Sequence, residues 1–278
     1  MSETETSWIA AAAGADHVHL RAIGVSGAVL SEDHPPRSDW HAAARRLAAG
    51  DTLPVVACGL PEAGLRKVPG TPIQDALAVK ETHGLTLAAI PGLAQETPSH
   101  VTTGAETAIA GFLSLNPKFD GVLCLPGPQT TWAHVSAEEV VSFQTCLSQP
   151  LGQAIETWLE LDAAAWDDAT FESALTDTLA RPERLAERLA AIRGAGMLLG
   201  LDPAAARGRL WGALIGAELA AMRPYWLGQQ VAVVGGGTLA GAYVSAITAQ
   251  GLPPIRADGA AMLLKGLAEG HRRLAMGA

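Results

Sequence analysis

The run Val231-Ala232-Val233-Val234-Gly235-Gly236-Gly237-Thr238-Leu239-Ala240-Gly241-Ala242-Tyr243 carries the residue types best suited to holding an anion. Glycines remove Cβ atoms, so a ligand can approach the backbone closely. Free N–H groups at a helix start, together with the helix dipole, then favour a phosphate. Gly235-x-Gly237-x-x-Ala240 also fits the dinucleotide fingerprint, with Asp258 roughly 20 residues on as a ribose ligand. A Rossmann half-domain, however, needs several more βα units after its glycine turn than this sequence supplies. A nucleotide turn that closes a different α/β fold fits better. The plainer alternative is a glycine turn that only packs a helix tightly on a strand.

The elements that must position this turn alternate along the chain. Trp8 to Ala13 reads as a strand, although its alanines suit a helix equally, and His17 to Ile23 alternates as a second strand. Trp40 to Ala49 reads as a helix. Leu53 to Gly59 and Leu85 to Gly92 are short buried strands stopped by Gly or Pro-Gly. Thr103 to Thr107 opens a helix running to about Leu115. Asp120 to Gly127 is a turn and strand, and Trp132 to Val135 the second arm of a hairpin. From Ser136 to Ala221 the pattern reads as mostly helical, with Pro182 and Pro203 near helix starts. This order gives an α/β class with an all-helical insertion in the second half. A domain break is expected near residue 98, where Thr97-Pro98-Ser99 interrupts the apolar pattern.

Composition excludes several partner classes. With 49% hydrophobic and 17% charged residues the chain is globular and not disordered. A net charge of −9 opposes nucleic acid or an anionic membrane as partner, since both reward clustered Lys and Arg. Cys58, Cys124 and Cys146 are scattered among apolar neighbours without a CxxC pair, which reads as buried reduced thiols. The acidic start Met1-Ser2-Glu3-Thr4-Glu5-Thr6 lacks the basic region of a signal peptide, and the apolar runs are too short to span a bilayer. A cytoplasmic location is expected. His17 and His19 share one face of a strand and could both ligate a metal, but no third ligand stands at an obvious spacing.

Order and spacing together resemble the 2-dehydro-3-deoxygalactonokinase family of sugar-acid kinases, in the actin-like ATPase superfamily. The resemblance rests on Ile90-Pro91-Gly92-Leu93, Gly104-x-Glu106-Thr107, Pro126-Gly127 with Trp132, and Phe143-x-Thr145. It continues through Ala191-Ile192-Arg193, Leu198-Leu199-Gly200, Gly212 to Glu218, Gly236-Gly237-Thr238-Leu239 with Tyr243, and Asp258. It implies an α/β fold of two domains with a cleft between them. The N-terminal domain would span 1–98, with a C-terminal helix, 259–278, returning to it; the C-terminal domain would span 99–258. ATP and Mg²⁺ are the implied cofactors, with a 2-keto-3-deoxy sugar acid as substrate. Nucleotide contacts are implied at Gly14, Gly127, Gly235, Gly236, Gly237 and Thr238, and substrate contacts at Gly59, Gly104 and Glu106.

The polar half of the family's site is missing. An Asp-Trp-Gly-(Ser/Thr) turn that faces phosphate and metal is here Ala12-Ala13-Gly14-Ala15-Asp16. Asp16 could substitute only from a position displaced by about 6 Å along a strand end. In the family's Pro-Gly-Thr-His-(Ser/Cys)-Lys-Trp loop, Gln129 replaces the histidine and Thr131 the lysine. An acid and an arginine before Gly104 have become His100 to Thr103, Gly59 to Gly64 replaces a substrate loop, and Ser148-Gln149-Pro150 replaces Thr-Gly-Glu. Residues that shape the fold remain and those that carry charge are gone. The sequence therefore reads as a catalytically degenerate family member. It assigns no catalytic residue and no metal ligand. A non-catalytic ligand- or partner-binding protein is the alternative, ahead of an NAD-binding Rossmann protein. The expected partners are a small sugar acid or a nucleotide, with no nucleic acid and no membrane; a homodimer is left open.

Overall fold

A computed structural model describes residues 5–49, 52–162 and 165–275. The chain divides into two compact units. In the first, β1 (Thr6–Ala13), β2 (Val18–Gly24), β3 (Val29–Asp33), α1 (Trp40–Leu47), β4 (Pro54–Cys58), β5 (Leu65–Lys67), β6 (Val79–Thr82), β7 (Leu85–Ala89), β8 (Gly92–Gln95), β9 (His100–Val101) and α2 (Ala105–Leu115) follow one another. The second carries β10 (Gly121–Leu125), β11 (Thr130–Ser136), β12 (Glu139–Cys146), α3 (Ser148–Trp158), α4 (Asp168–Ala180), α5 (Leu185–Leu199), α6 (Pro203–Ala221), α7 (Arg223–Trp226), β13 (Val231–Val234), α8 (Gly237–Thr248) and β14 (Ile255–Ala257). The final helix, α9 (Gly259–Ala275), belongs to the first unit, as do Val135–Phe143 from the β11–β12 hairpin.

The first unit is built on a six-stranded sheet of order β3-β2-β1-β4-β7-β6. β1, β4 and β7 run parallel at its centre, and β2 and β6 pair antiparallel to them. Period-two alternation sorts the central strands onto two faces. Ile9, Ala11, Val55, Ala57, Leu85 and Leu87 pack with Trp40, Ala43 and Ala44 of α1. Trp8, Ala10, Val56, Cys58 and Ala88 pack on the other face with Ala110 of α2 and Leu267 of α9. Burial on both faces explains why β1 reads as an unbroken apolar run. It also decides strand over helix for Trp8 to Ala13, which sequence periodicity alone leaves open.

Helices α2 and α9 cross almost backbone to backbone. A Cβ on Gly111 would lie 1.9 Å from the Met262 carbonyl oxygen, and one on Gly266 would lie 1.8 Å from that of Thr107. This contact ties α2 and α9 into the first unit, which runs past residue 98 to Asp120 before the chain enters the second.

The second unit carries a five-stranded sheet of order β12-β11-β10-β13-β14, with β10 and β13 parallel. Against it stand α4 and α6, where Gly208, Gly212 and Gly216 recur every four residues along one face of α6. A Cβ on any of them would come within 2.6 Å of an α4 atom or of the residue before it. The helical reading of 136–221 needs correction at its start: Glu139–Cys146 is strand β12, and helix begins at Ser148. Val140 and Phe143 are buried there, on alternation too short to stand out from the helical stretch that follows.

The Rossmann alternative also fails. The sheets are several and mixed, and the glycine turn follows the thirteenth of fourteen strands among the described residues. Asp258, offered as the ribose ligand, has a structural role in the first unit. Its Oδ1 accepts from the Ala261 N–H at 2.7 Å and so caps the start of α9.

Candidate functional site

In the second unit two turns emerge side by side at the carboxyl ends of neighbouring parallel strands. Cys124 of β10 is in register with Val233 of β13. Pro126-Gly127 follows the first strand and Gly235-Gly236-Gly237 the second. A Cβ on Gly235 would meet Ala240 Cβ at 3.0 Å and Pro126 Cδ at 3.5 Å, so the two turns touch. Crevices outside the carboxyl ends of parallel strands are where α/β sheets bind ligands.

Gly236 precedes α8 with extended backbone, and Gly237 takes a left-handed φ of 67° that disfavours any side chain. No side chain caps this helix start, which leaves its first N–H groups for solvent or an anion. Gly236, Gly237 and Thr238 are exposed, while Gly127 and Gly235 are half-buried. Five of the predicted residues, Gly127, Gly235, Gly236, Gly237 and Thr238, thus come together.

Beside Thr238 lies a cavity of about 190 Å³, lined also by Gln149, Gln153, Trp166, Arg207 and Trp211. Glu156 holds this wall together by accepting from the Arg207 Nε–H at 2.5 Å and the Trp211 indole N–H at 2.7 Å. The guanidinium of Arg207 sits 5.9 Å from the Trp166 ring centre. Sequence reasoning did not pick out this wall. Its only signal was the helical spacing of Arg207 and Trp211, four residues apart on α6.

The first unit gathers the other predicted positions at the ends of β1 and β4. Ala12 is in register with Cys58. A Cβ on Gly59 would lie 2.5 Å from the Ala13 carbonyl oxygen. Gly14 opens a tight turn in which its N–H donates to the His17 carbonyl at 2.8 Å. The Cys58 thiol in turn meets Thr107 at the start of α2, beside Glu106. Gly14, Gly59, Gly104 and Glu106 therefore share one neighbourhood.

What they offer chemically is limited. Glu106 is fully buried, and its carboxylate accepts from the Thr102 hydroxyl at 2.6 Å, from the Gly104 N–H at 2.9 and 3.0 Å, and from the Thr107 hydroxyl at 3.3 Å. This ties the first turn of α2 in the manner of an N-terminal cap, with the charge at the favourable end of the helix dipole. Burial pushes the Glu106 carboxyl above the usual carboxylate range, and these donors oppose the shift without cancelling it. Burial, reinforced by the Glu106 charge, likewise pushes the Cys58 thiol up to about 12, which makes it inert as a nucleophile at neutral pH.

The charged groups at the turn itself are Asp16, exposed, and Arg37, whose Nη1 donates to the Gly14 carbonyl at 2.9 Å and whose N–H donates to that of Asp16 at 2.9 Å. Arg37 was not legible as a site residue, because it stands 23 positions from the turn it braces. Thr131, where the resemblance implies a lysine, is 1% exposed and faces the interior of its unit. Gln129 donates to the Thr145 hydroxyl at 3.2 Å.

The fold is that of an actin-like ATPase. The activator of the 2-hydroxyisocaproyl-CoA dehydratase from Clostridium difficile, solved with bound ADPNP, superposes with a TM-score of 0.53 at 8% identity, over 97% of this chain and 96% of that one. The family is narrower: the family model described as 2-keto-3-deoxy-galactonokinase matches residues 7–269, and the chain belongs to that family. The Probable 2-dehydro-3-deoxygalactonokinase of Rhizobium meliloti (strain 1021) is 28% identical over 293 residues, 94% of this chain and 95% of the relative. A Sinorhizobium meliloti crystal structure that carries the 2-dehydro-3-deoxygalactonokinase name superposes with a TM-score of 0.86 at 25% identity, covering 95% of this chain and 96% of that one.

Proposed function

We propose that this chain is a 2-keto-3-deoxy-galactonokinase family member that binds a nucleotide, ATP or its product, at the Gly235–Thr238 turn and transfers phosphate to a 2-keto-3-deoxy sugar acid poorly or not at all. The observation that carries this reading is the donor set where β1 and β4 end. Ala12, Ala13, Gly14 and Ala15 supply no carboxylate or hydroxyl, and the carboxylate of Glu106 is sealed inside the unit. Phosphoryl transfer asks for a metal held by oxygen ligands and for cations on the phosphates. Asp16 is the one carboxylate in the turn that follows β1, and a single carboxylate does not fix Mg²⁺.

The glycine turn does suit a polyphosphate, because it acts through backbone N–H groups and the absence of Cβ atoms. A wall cavity of about 190 Å³ is smaller than the ~300–1,000 Å³ usual for small-molecule sites, which is in keeping with weak binding. A cytoplasmic location and small-molecule partners, with neither nucleic acid nor membrane, belong to the same reading. Among the described residues no helix is long and apolar enough to cross a membrane.

A second reading has its own support in the nearly full-length likeness to relatives named as kinases. In that reading the protein is a working sugar-acid kinase, and Asp16 stands in for the missing carboxylate. Calorimetry with ATP, paired with a coupled assay for ADP release over a panel of sugar acids, tests the proposal. Nucleotide binding without turnover supports the first reading. Turnover that disappears in Asp16→Asn supports the second.

A further inference from the structure

Strands β2 and β3 pair antiparallel with Leu20 opposite Asp33 and Arg21 opposite Glu32. One step further in the same register sets His19 opposite His34. Side chains on one strand alternate between faces, so His19, Arg21, Glu32 and His34 share one face of this hairpin while Leu20 is buried on the other. The His19 and His34 rings lie 3.9 Å apart between centres. His19 Nε2 lies 2.9 Å from Glu32 Oε2. One ligand atom from each of His19, Glu32 and His34 falls within 4.8 Å of the others.

We propose that His19, Glu32 and His34 form a site for a borderline divalent cation of the zinc type. Two imidazoles and a carboxylate suit Zn²⁺ or Co²⁺, whereas Mg²⁺ and Ca²⁺ prefer oxygen alone. Three protein ligands leave a fourth position for water. Adjacent strands already hold the donors together, so small side-chain rotations suffice to converge them. Glu32 and His34 are exposed, which gives the ion a path from solvent.

Arg21 sets the protonation state of the pair. Its Nη2 donates to His19 Nδ1 at 2.9 Å and its Nε to Glu32 Oε1 at 3.1 Å. A guanidinium cannot accept, so His19 is the Nε2–H tautomer and donates to Glu32. Metal at Nε2 moves that proton to Nδ1 and releases the Arg21 Nη2 bond, with no net loss of a proton. Arg21 keeps its Nε bond to the carboxylate and orients it as an outer-shell partner. His17 takes no part: its backbone bridges to Pro36, and His34 supplies the ligand that the sequence pair lacked.

Titrating the metal-free full-length protein with ZnCl₂ by calorimetry, and with CoCl₂ by visible absorption, tests the site. The expected result is one zinc per chain and the strong visible bands of tetrahedral Co²⁺. His34→Ala and Glu32→Gln should each weaken zinc by at least about tenfold, as lost ligand-shell groups do. His83→Ala, at the separate His41–His83 pair, should leave it unchanged. Thermal melts in EDTA establish that the variants fold. Absence of saturable zinc binding would overturn the proposal, and so would zinc binding that His34→Ala and Glu32→Gln leave within about twofold of the parent.

Discussion

The two strand-to-turn junctions at β1 and β13 have the same local plan and opposite chemical content. Each follows a buried strand and turns on glycine: Ala13-Gly14-Ala15-Asp16 in the first unit, Val234-Gly235-Gly236-Gly237 in the second. The second junction offers main-chain N–H groups, a left-handed glycine and an uncapped helix start. Those features belong to the backbone, so they persist wherever the fold does. The first would have to work through side chains, and methyl groups stand in their place. The buried acids extend the lesson. Glu106 ties down α2. Glu218 accepts from the Trp132 indole at 2.7 Å and from the Ser148 hydroxyl inside the second unit. Both acids lie in motifs on which the resemblance rests, and both have a structural reason to be there.

The largest expected effect is on turnover. Removing one electrostatic donor from an active site costs roughly 10²–10³ in rate. On the proposed reading several are absent at the first junction, although such losses do not simply add. ADP release measured with any 2-keto-3-deoxy sugar acid should therefore stay near the no-enzyme background, against the roughly 1–100 per second of working kinases. A rate in that range would break the contrast between the junctions at once.

Stability should respond next, through Glu106. Replacing it with Ala leaves the Thr102 and Gly104 donors unsatisfied in a buried setting, at a cost of about 1–3 kcal/mol. The pH dependence has a definite sign. Burial raises the folded-state pKa above the ordinary 4.5, so the folded protein binds the proton more tightly than the unfolded chain does. The contribution is full below 4.5 and is lost as pH rises through the folded value. Denaturant unfolding across pH should show the parent losing stability relative to Glu106→Gln as pH climbs. A parent that instead gains on the variant would mean the carboxylate is favoured in its charged form, as a ligand-facing acid would be.

Much of this was legible in the sequence, and the parts that were not share a cause. The glycine turn, the strands at Val55 and Val122, and the family order all follow from local patterns read along the chain. Burial on both faces kept β1 ambiguous until α1 and α9 were seen on either side of it. Arg37, the Glu156–Arg207–Trp211 wall and the His19–His34 pair depend on partners brought together by the fold, at separations that local patterns do not show. The glycines of α6 and those at 111 and 266 were visible as letters. Their purpose, helix backbones in near contact, is visible only in three dimensions.

A more modest effect is expected at the glycine turn. Gly237 has φ of 67° with open space where a Cβ would point, so Gly237→Val acts through conformation and not through a clash with the protein. A left-handed residue other than glycine costs roughly 1–2 kcal/mol, and the new side chain stands where a phosphate would approach. ATP affinity by calorimetry should fall by about tenfold, the equivalent of about 1.4 kcal/mol. A variant that binds as well as the parent would remove the second junction from the site and leave both junctions structural.

The smallest expected effect is the most discriminating. Asp16 is exposed, donates nothing to the core, and touches Arg37 only through its main-chain carbonyl. Its carboxylate is therefore dispensable to the fold, and Asp16→Asn should change unfolding free energy by less than about 0.5 kcal/mol. ATP affinity should be unchanged with or without Mg²⁺, because a metal held by one exposed carboxylate on a turn lacks the convergent oxygen ligands that fix it. The parallel titration of Ala12→Asp sharpens the point. It returns an acid to the end of β1, next to Cys58 in the neighbouring strand, and Mg²⁺ should begin to strengthen ATP binding in that variant. If Mg²⁺ instead strengthens ATP binding in the parent and Asp16→Asn abolishes the gain, the turn has kept its metal chemistry in a shifted position. The first junction would then be as functional as the second.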